Sequence, residues 1–573
     1  MVKSFRVILI ATSLVTAMLL STFVIPVIAQ EGDNYSVEAL RIMQFEDWYY
    51  MSARALSYHG IWEEATLMHG INVEVNAQSA FTEVFAMFSA DIFNKFEAWG
   101  LSVLSFGTET RTNALTNNVQ QSEVTISIDP NNPNNLVAGS HLNNLQTNSV
   151  RCNAYFSNDG GSTWTDIGPL PGILVASGDP VVASDALGNH YYLCLEFTGT
   201  NNVLVSKSTD GGASYGAPVI AASGNPPSIF NDKPWIVADT FPGSPNVNNI
   251  YVSWAQFGVN VPIQFVRSTN GGTSFSAPIT ISTALTNQDP HPFVAPNGDV
   301  YVVWLDLSNS QVVIARSTNA GVSFGAPVVI DNQFFEPFAR FLLDSTGNGV
   351  PNTVREGIDL NGCVDGSGRL NVVWSDFASG TSTESDIFYS SSTNNGVTWS
   401  APTVVNSVTT NDQFFPAIAC QQDDNTAHFA WIDRRNDPLN NRFIDVFYAS
   451  TNSGLPPFTN LQVTTVPSDL QTTIALPFEP KIGDYIDMDA SSIMAHPVWT
   501  DLRVPAVPTN TGGDVFTAAG VKDTPPVSGE FLPIDSTALM LTGLQSSAIW
   551  ILPVLAGAVG VGAYYIKTRM NKE

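Results

Sequence analysis

Charge is what this chain has least of. Of its 573 residues only 13% are Asp, Glu, Lys or Arg, about half of the roughly 25% usual in a soluble globular protein. Basic side chains are the scarcer kind, 23 Lys and Arg against 51 Asp and Glu, for a net charge of −28. That excludes a nucleic-acid partner, because phosphates need Lys and Arg to neutralise them. Cysteine is also rare, at four residues, and no Cys-x-x-Cys or Cys/His spacing suggests zinc. What is plentiful is apolar: 44% hydrophobic and 10% aromatic residues rule out a disordered acidic chain. The length accommodates roughly two to four domains, or one large repeat domain with appendages.

Uncharged stretches that are also mostly apolar stand at the two ends. Residues 1–29 have Lys3 and Arg6 before an apolar run ending in small residues, the pattern of a secretory signal peptide; an uncleaved anchor is the alternative. Residues 536–566 are uncharged, mostly apolar and long enough to cross a bilayer. The tail 567–573 carries Lys567, Arg569 and Lys572, so the positive-inside rule puts the main body outside the cell, held by one membrane span. The charged tail argues against a GPI signal. At Leu532 to Ser536, Asp and Ser stand where cell-wall sorting needs Thr and Gly. The Pro-rich linker 521–535, span and basic tail resemble the anchors of archaeal surface proteins.

An exported body permits disulfides. Cys152, Cys194, Cys363 and Cys420 admit three pairings. Neighbours pairing, 152 with 194 and 363 with 420, is favoured; four buried free thiols are the alternative. Asn34-Tyr35-Ser36 is a glycosylation sequon.

The middle repeats itself. Ser157-Asn158-Asp159-Gly160-Gly161-Ser162-Thr163-Trp164 returns from Ser208 through Asp210 and Gly212 to Tyr215, and from Ser268 through Asn270 and Gly272 to Phe275. It returns again from Ser317 through Asn319 and Gly321 to Phe324, and from Ser392 through Asn394 and Gly396 to Trp399, with a worn copy at Ser450. The starts lie 51, 60, 49, 75 and 58 residues apart, a period suited to propeller blades. Asp or Asn can bond its own backbone and Gly takes positive φ without steric cost, so each copy predicts a turn between two strands.

The Ser-x-Asp-x-Gly-x-Thr-Trp turn resembles the Asp-box, or bacterial neuraminidase repeat. By that resemblance residues 101–520 form a mainly β, sialidase-like propeller, and the Asp-box residues are structural, on the face away from the active centre. Seven units are counted, beginning near 121, 177, 230, 287, 354, 411 and 482, with six blades as the alternative. The last holds three strands, and a strand from 101–113 would close the ring. Residues 30–100, with helical spacing at Ala39 to Met43 and Phe81 to Phe88, predict a small helical segment.

In such a blade the start of the first strand and the end of the second share one rim. Asp179, Asp232, Asp289, Asp412 and Asp484 are assigned to the first set, and Asp306, Asp376, Asp433 and Asp501 to the second. These carboxylates either cap strand ends by bonding backbone amides, the preferred reading, or line a funnel for sugars or for a hard cation such as Ca2+. No cofactor is certain. Sialidases, by the resemblance, use three arginines on the substrate carboxylate, a Tyr nucleophile activated by Glu, and an Asp acid-base. Tyr485, Glu356, Arg340, Arg435 and Arg503 are the candidates for those roles, although the family's Phe-Arg-Ile-Pro motif is missing. Asp344 to Gly349 resembles part of a calcium loop, but Arg355 stands where its Glu belongs, and an ordinary turn is preferred. The functional expectation is a membrane-anchored propeller recognising extracellular glycans or envelope proteins and polymers. The alternatives are a sialidase-type exo-glycosidase and a structural envelope component.

Overall fold

The computed structural model describes residues 104–522, apart from 115–118, 145–146, 148, 174–175, 198, 335–358, 378–383, 421, 423–424, 438–442, 457, 471–481 and 504–512. The signal peptide, helical segment, sequon, membrane span and basic tail lie outside the described residues, as do Arg340, Glu356 and the loop Asp344 to Gly349.

Seven antiparallel sheets follow one another along the chain. They are blade 1 (119–169), blade 2 (177–222), blade 3 (230–280), blade 4 (287–331), blade 5 (360–404), blade 6 (413–462) and blade 7 (487–517). Each of the first six pairs its four strands in sequence order, and the first strands of successive blades pack against one another around an axis. The fold is therefore a mainly β, seven-blade propeller. Blade 7 has three strands of its own, and Thr110–Arg111 pairs with Asp514–Thr517 to supply the fourth. Leu104–Phe106 adds to the same sheet through Gly520–Lys522. The ring closes by joining the two ends of the described chain, and Thr110–Arg111 covers the edge that Asp514–Thr517 would otherwise expose.

The second strands are apolar on both faces because each lies between neighbouring blades. Trp254, Trp304, Trp374, Trp431 and Trp499 occupy the same position in blades 3 to 7 and are fully buried. Two disulfides join neighbouring blades, Cys152 to Cys194 and Cys363 to Cys420.

The recurring turns connect third to fourth strands. Ser157 Oγ donates to Asp159 Oδ1 (2.8 Å) and accepts from Gly161 N (3.0 Å), while Asp159 Oδ1 accepts from Thr163 N (2.8 Å). The same set recurs at Ser208, Ser268, Ser317 and Ser392. In the worn copy Thr451 replaces the serine and accepts from Gly454 N (3.1 Å). Asn in place of Asp keeps the acceptor oxygen, so the turn survives that exchange.

The second glycine of the turn has two duties. Gly212 has φ +88°, and a Cβ there would lie 2.4 Å from Val137 Cγ1 of the preceding blade. Gly199 has φ +85° with open space around it. Gly212→Ala is expected to cost about 3 kcal/mol, strain plus overpacking, against about 1 kcal/mol for Gly199→Ala, which carries strain alone. Equal costs in urea unfolding would show that the blade-to-blade contact is unimportant.

Candidate functional site

The upper face is the one where first strands begin and second strands end; the recurring turns lie on the lower face. Five first strands carry a bulge near their upper end, with the ladder shifting at 122/125, 178/181, 232/235, 288/291 and 414/417. At each bulge one non-glycine residue takes positive φ: Glu123 (51°), Asp179 (49°), Lys233 (44°), Asp289 (57°) and Phe415 (51°). In four of them proline follows, Pro180, Pro234, Pro290 and Pro416. This conformation is strained for a residue with a Cβ, and its repetition places four ionisable side chains at one level around the axis.

Lys233 is the hub of that level. Its Nζ lies 3.7 Å from Asp289 Oδ1 and 3.9 Å from Asp484 Oδ2. Burial works against its charge, but Asp289, Asp484, Asp359 and Asp232 outweigh it and hold the ammonium charged well above the usual range. Burial pushes Asp179 up to about 8, with Asp232 adding to it, and pushes Asp289 up to about 6 against the pull of Lys233. Burial also raises Asp359 well above the carboxylate range. Beside the hub, His141 Nε2 accepts from Asp179 N (2.6 Å) and lies 3.0 Å from Glu123 Oε2. Burial lowers His141 to about 4. Ligand atoms of Glu123, His141 and Asp179 come within 4.8 Å of one another. That is close enough for a metal, but the His141 lone pair already serves the Asp179 amide.

The rim carboxylates bond amides, often across to the next blade. Asp179 Oδ2 accepts from Lys233 N (3.1 Å), Asp289 Oδ2 from Leu360 N (2.7 Å), and Asp412 Oδ1 from Ser385 N (3.2 Å). Asp232 Oδ2 accepts from the Gln288 side chain (2.6 Å), and Asp306 holds Asn309. Asp376 is buried opposite Asp386. In two blades the bulge residue itself is not acidic: Lys233 in blade 3 and Phe415 in blade 6 occupy the position of Asp179 and Asp289, with Asp232 and Asp412 before them. The backbone bulge sets the register there, and the acidic residue lies upstream of it.

Asp433 and Asp501 build identical devices. Each accepts the indole N–H two residues before it, from Trp431 (2.8 Å) and Trp499 (2.9 Å), and the guanidinium two residues after it, from Arg435 and Arg503 (2.6 Å each). The guanidinium then stacks on a third-strand ring, Arg435 on Phe447 at 4.1 Å and Arg503 on Phe516 at 4.5 Å. Both arginines are thus held inside their own blades. Tyr485 stands elsewhere, on the axis. It is buried, its phenol donates to Pro180 O (2.9 Å), and its ring meets Trp235 edge-on at 5.6 Å. Burial first, then Glu123 and Asp179, raise its phenol well above the usual range. The cation over its ring is Lys233, at 6.0 Å. No described contact joins Tyr485 to Arg435 or Arg503.

Glu123, His141, Lys233, Asp359 and an aromatic group escaped the sequence reading. Phe197, Phe230 and Phe257 remain 37%, 37% and 39% exposed at the upper ends of blades 2 and 3. Phe197 and Phe230 lie parallel at 6.3 Å, and Phe230 pairs across the strand with Phe257. Phe197 also packs on Gly178, where a Cβ would lie 2.8 Å from its ring and 2.4 Å from His141 Nε2. The aromatic group therefore adjoins the His141 cluster. The recurring residue-Pro pairs were the available signal for the bulges; nothing in the sequence marks these three phenylalanines out from the buried ones.

No family model matches the chain, and neither does any curated protein. Solved structures are similar to it at low identity. A phage phi92 endosialidase shares 9% identity over 74% of this chain and 70% of its own, with TM-score 0.42. A Hadza microbial sialidase shares 12% over 66% and 73%, with TM-score 0.39. An α-L-arabinanase from Penicillium chrysogenum, complexed with arabinobiose, shares 12% over 64% and 100%, with TM-score 0.35.

The buried carboxyls set a pH dependence. A carboxyl whose folded pKa is raised stabilises the fold at low pH and loses that contribution as pH rises through the folded value. Asp179 and Asp289 therefore act between about pH 4 and 8. His141 and His291, lowered by burial to about 4 and 3, act oppositely, but only below about pH 6.5. Above that pH the carboxyls act alone, so the melting temperature should fall from pH 6.5 to 8.5, and Asp179→Asn should flatten the slope. A rising melting temperature over that window would contradict these assignments. Separately, Asp433→Ala is expected to cost about 3–5 kcal/mol by denaturant titration, because it strands a buried indole N–H and takes the carboxylate from the Arg435 guanidinium. A loss below about 1 kcal/mol would show the device to be idle.

Proposed function

We propose that this chain is a cell-surface propeller that binds glycans or envelope polymers on its upper face, tethered through residues 536–566 with its body outside the cell. The observation that carries this reading is the exposed group Phe197, Phe230 and Phe257 beside a polar centre. An exposed aromatic patch rimmed by polar groups is the ordinary form of an interaction site. Flat aromatic faces cover the apolar C–H faces of sugar rings, while carboxylates and amides take the hydroxyls. Gly178 keeps the space between the aromatic group and His141 free of a side chain.

Hydrolysis of sialidase type on this face would need Tyr485 as nucleophile, Glu356 as its activator and a guanidinium clamp. A nucleophilic phenol must lose its proton. Here the proton is given to Pro180 O and the surroundings are acidic, so the phenol is held in its neutral form. Arg435 and Arg503 are engaged with Asp433 and Asp501. These contacts support binding over that chemistry.

The test uses full-length protein in detergent against an immobilised panel of neutral, amino-bearing and sialylated glycans. Phe230→Ala with Phe257→Ala is expected to weaken the best binder at least tenfold, while Tyr485→Phe leaves binding within twofold. Binding indifferent to both phenylalanines overturns the reading. Glycoside hydrolysis that disappears in Tyr485→Phe would replace it with the exo-glycosidase.

A further inference from the structure

Below the level of Lys233 the axis opens into a cavity of about 560 Å³ that reaches the lower face. Its mouth is formed by turns between first and second strands, including Pro130, Pro242 and Ser491. Its volume falls within the roughly 300–1,000 Å³ of small-molecule sites. It is separate from the upper face, so its occupant is independent of the glycan reading.

The inner end is polar and incompletely bonded. His291 and Asn361 stand at the same register of blades 4 and 5, opposite Val303 and Val373. They are 8% and 3% exposed, and both line the cavity. His291 Nδ1 and Asn361 Oδ1 have no hydrogen-bond partner. Two buried polar atoms without partners, on residues that line a cavity, ask for a ligand that supplies them. Around them the lining is of one electrical kind. Asp487 and Asp489 contribute carboxylates, Trp235, Phe241 and Phe293 contribute rings, and no Lys or Arg lines the cavity among the described residues. Burial pushes Asp487 up to about 7 and Asp489 up to about 6, even though each accepts backbone amides. Acceptors, aromatic faces and carboxylates without a counter-charge together select a cation that can donate hydrogen bonds, and they reject an anion.

We propose that the lower axial cavity is a binding site for a small organic ammonium compound, with its N–H groups directed to Asn361 Oδ1 and the unpartnered His291 nitrogen and its hydrocarbon part against Trp235 and Phe293. Ile236 and Met488 line the same cavity and offer further apolar surface to the hydrocarbon part.

The test compares three probes of one length and different charge: 1,4-diaminobutane, 1,4-butanediol and succinate. They are titrated calorimetrically into full-length protein at constant ionic strength. The diamine should bind saturably at one site, at least tenfold more tightly than the diol, and succinate should give no heat. Asn361→Leu and His291→Phe should each weaken the diamine at least tenfold. Ala183→Leu, which fills the cavity from its apolar wall and leaves both polar atoms in place, should do the same. Phe230→Ala on the upper face should change nothing. Three outcomes overturn the proposal: no diamine binding, equal binding of diol and diamine, or diamine binding that survives all three cavity variants and so belongs to the acidic surface at large. Should Asn361→Leu fail to fold, Ala183→Leu decides.

Discussion

The structure turns on the strained residue at the head of the innermost strands. In an ordinary strand, side chains alternate between the two faces of the sheet, and a first strand in a propeller would send its residues into the gaps beside neighbouring blades. The bulge with positive φ at Glu123, Asp179, Lys233 and Asp289 breaks that alternation at one level. It brings ionisable groups together at the axis, where burial alone would keep them out. Such backbone costs of order 1–3 kcal/mol at each position and persists only when the surroundings over-determine it. The surroundings here are the amides of the next blade. Asp179 bonds Lys233 N and Asp289 bonds Leu360 N, so the strain and the blade-to-blade bond are one feature.

Lys233 then decides what the axis is. One ammonium faces several carboxylates, and its charge is secured by them while theirs are only partly offset by it. The upper half of the axis is thereby closed with polar contacts, and Tyr485 is sealed beneath the Lys233 ammonium with its phenol on Pro180 O. Among the described residues no Lys or Arg lines the lower half. The same fold thus carries a compensated polar centre above and an uncompensated acidic cavity below.

Much of the fold was legible because it is written in local turn chemistry. Ser157, Asp159 and Gly161 make within eight residues the bonds that define the turn, and its six copies mark six of the seven blades. The missing strand of the last blade pointed to closure by the chain before residue 113, which Thr110–Arg111 supplies. The favoured pairing of neighbouring cysteines is the one the structure shows. The site was less legible. Asp232 was grouped with Asp179 and Asp289 at the start of a first strand, yet the bulge residue is the next one, Lys233, because backbone geometry and not residue type sets the register. Arg435 and Arg503 resembled a clamp in composition, but each lies two residues from a carboxylate and meets it first.

By itself the sequence determined the turns, the repeat and the scarcity of basic charge, since each depends on residues close together in the chain, and it favoured seven blades over six. Tertiary structure alone decided which charges meet. His141 reaches Asp179 across 38 positions and Tyr485 reaches Pro180 across 305. Whether a phenylalanine such as Phe230 is buried or exposed depends on which blade lies beside it, and no local pattern carries that information. The reason is physical: turns are fixed by dihedral preference and short-range bonds, whereas burial and pKa depend on the whole ring being closed.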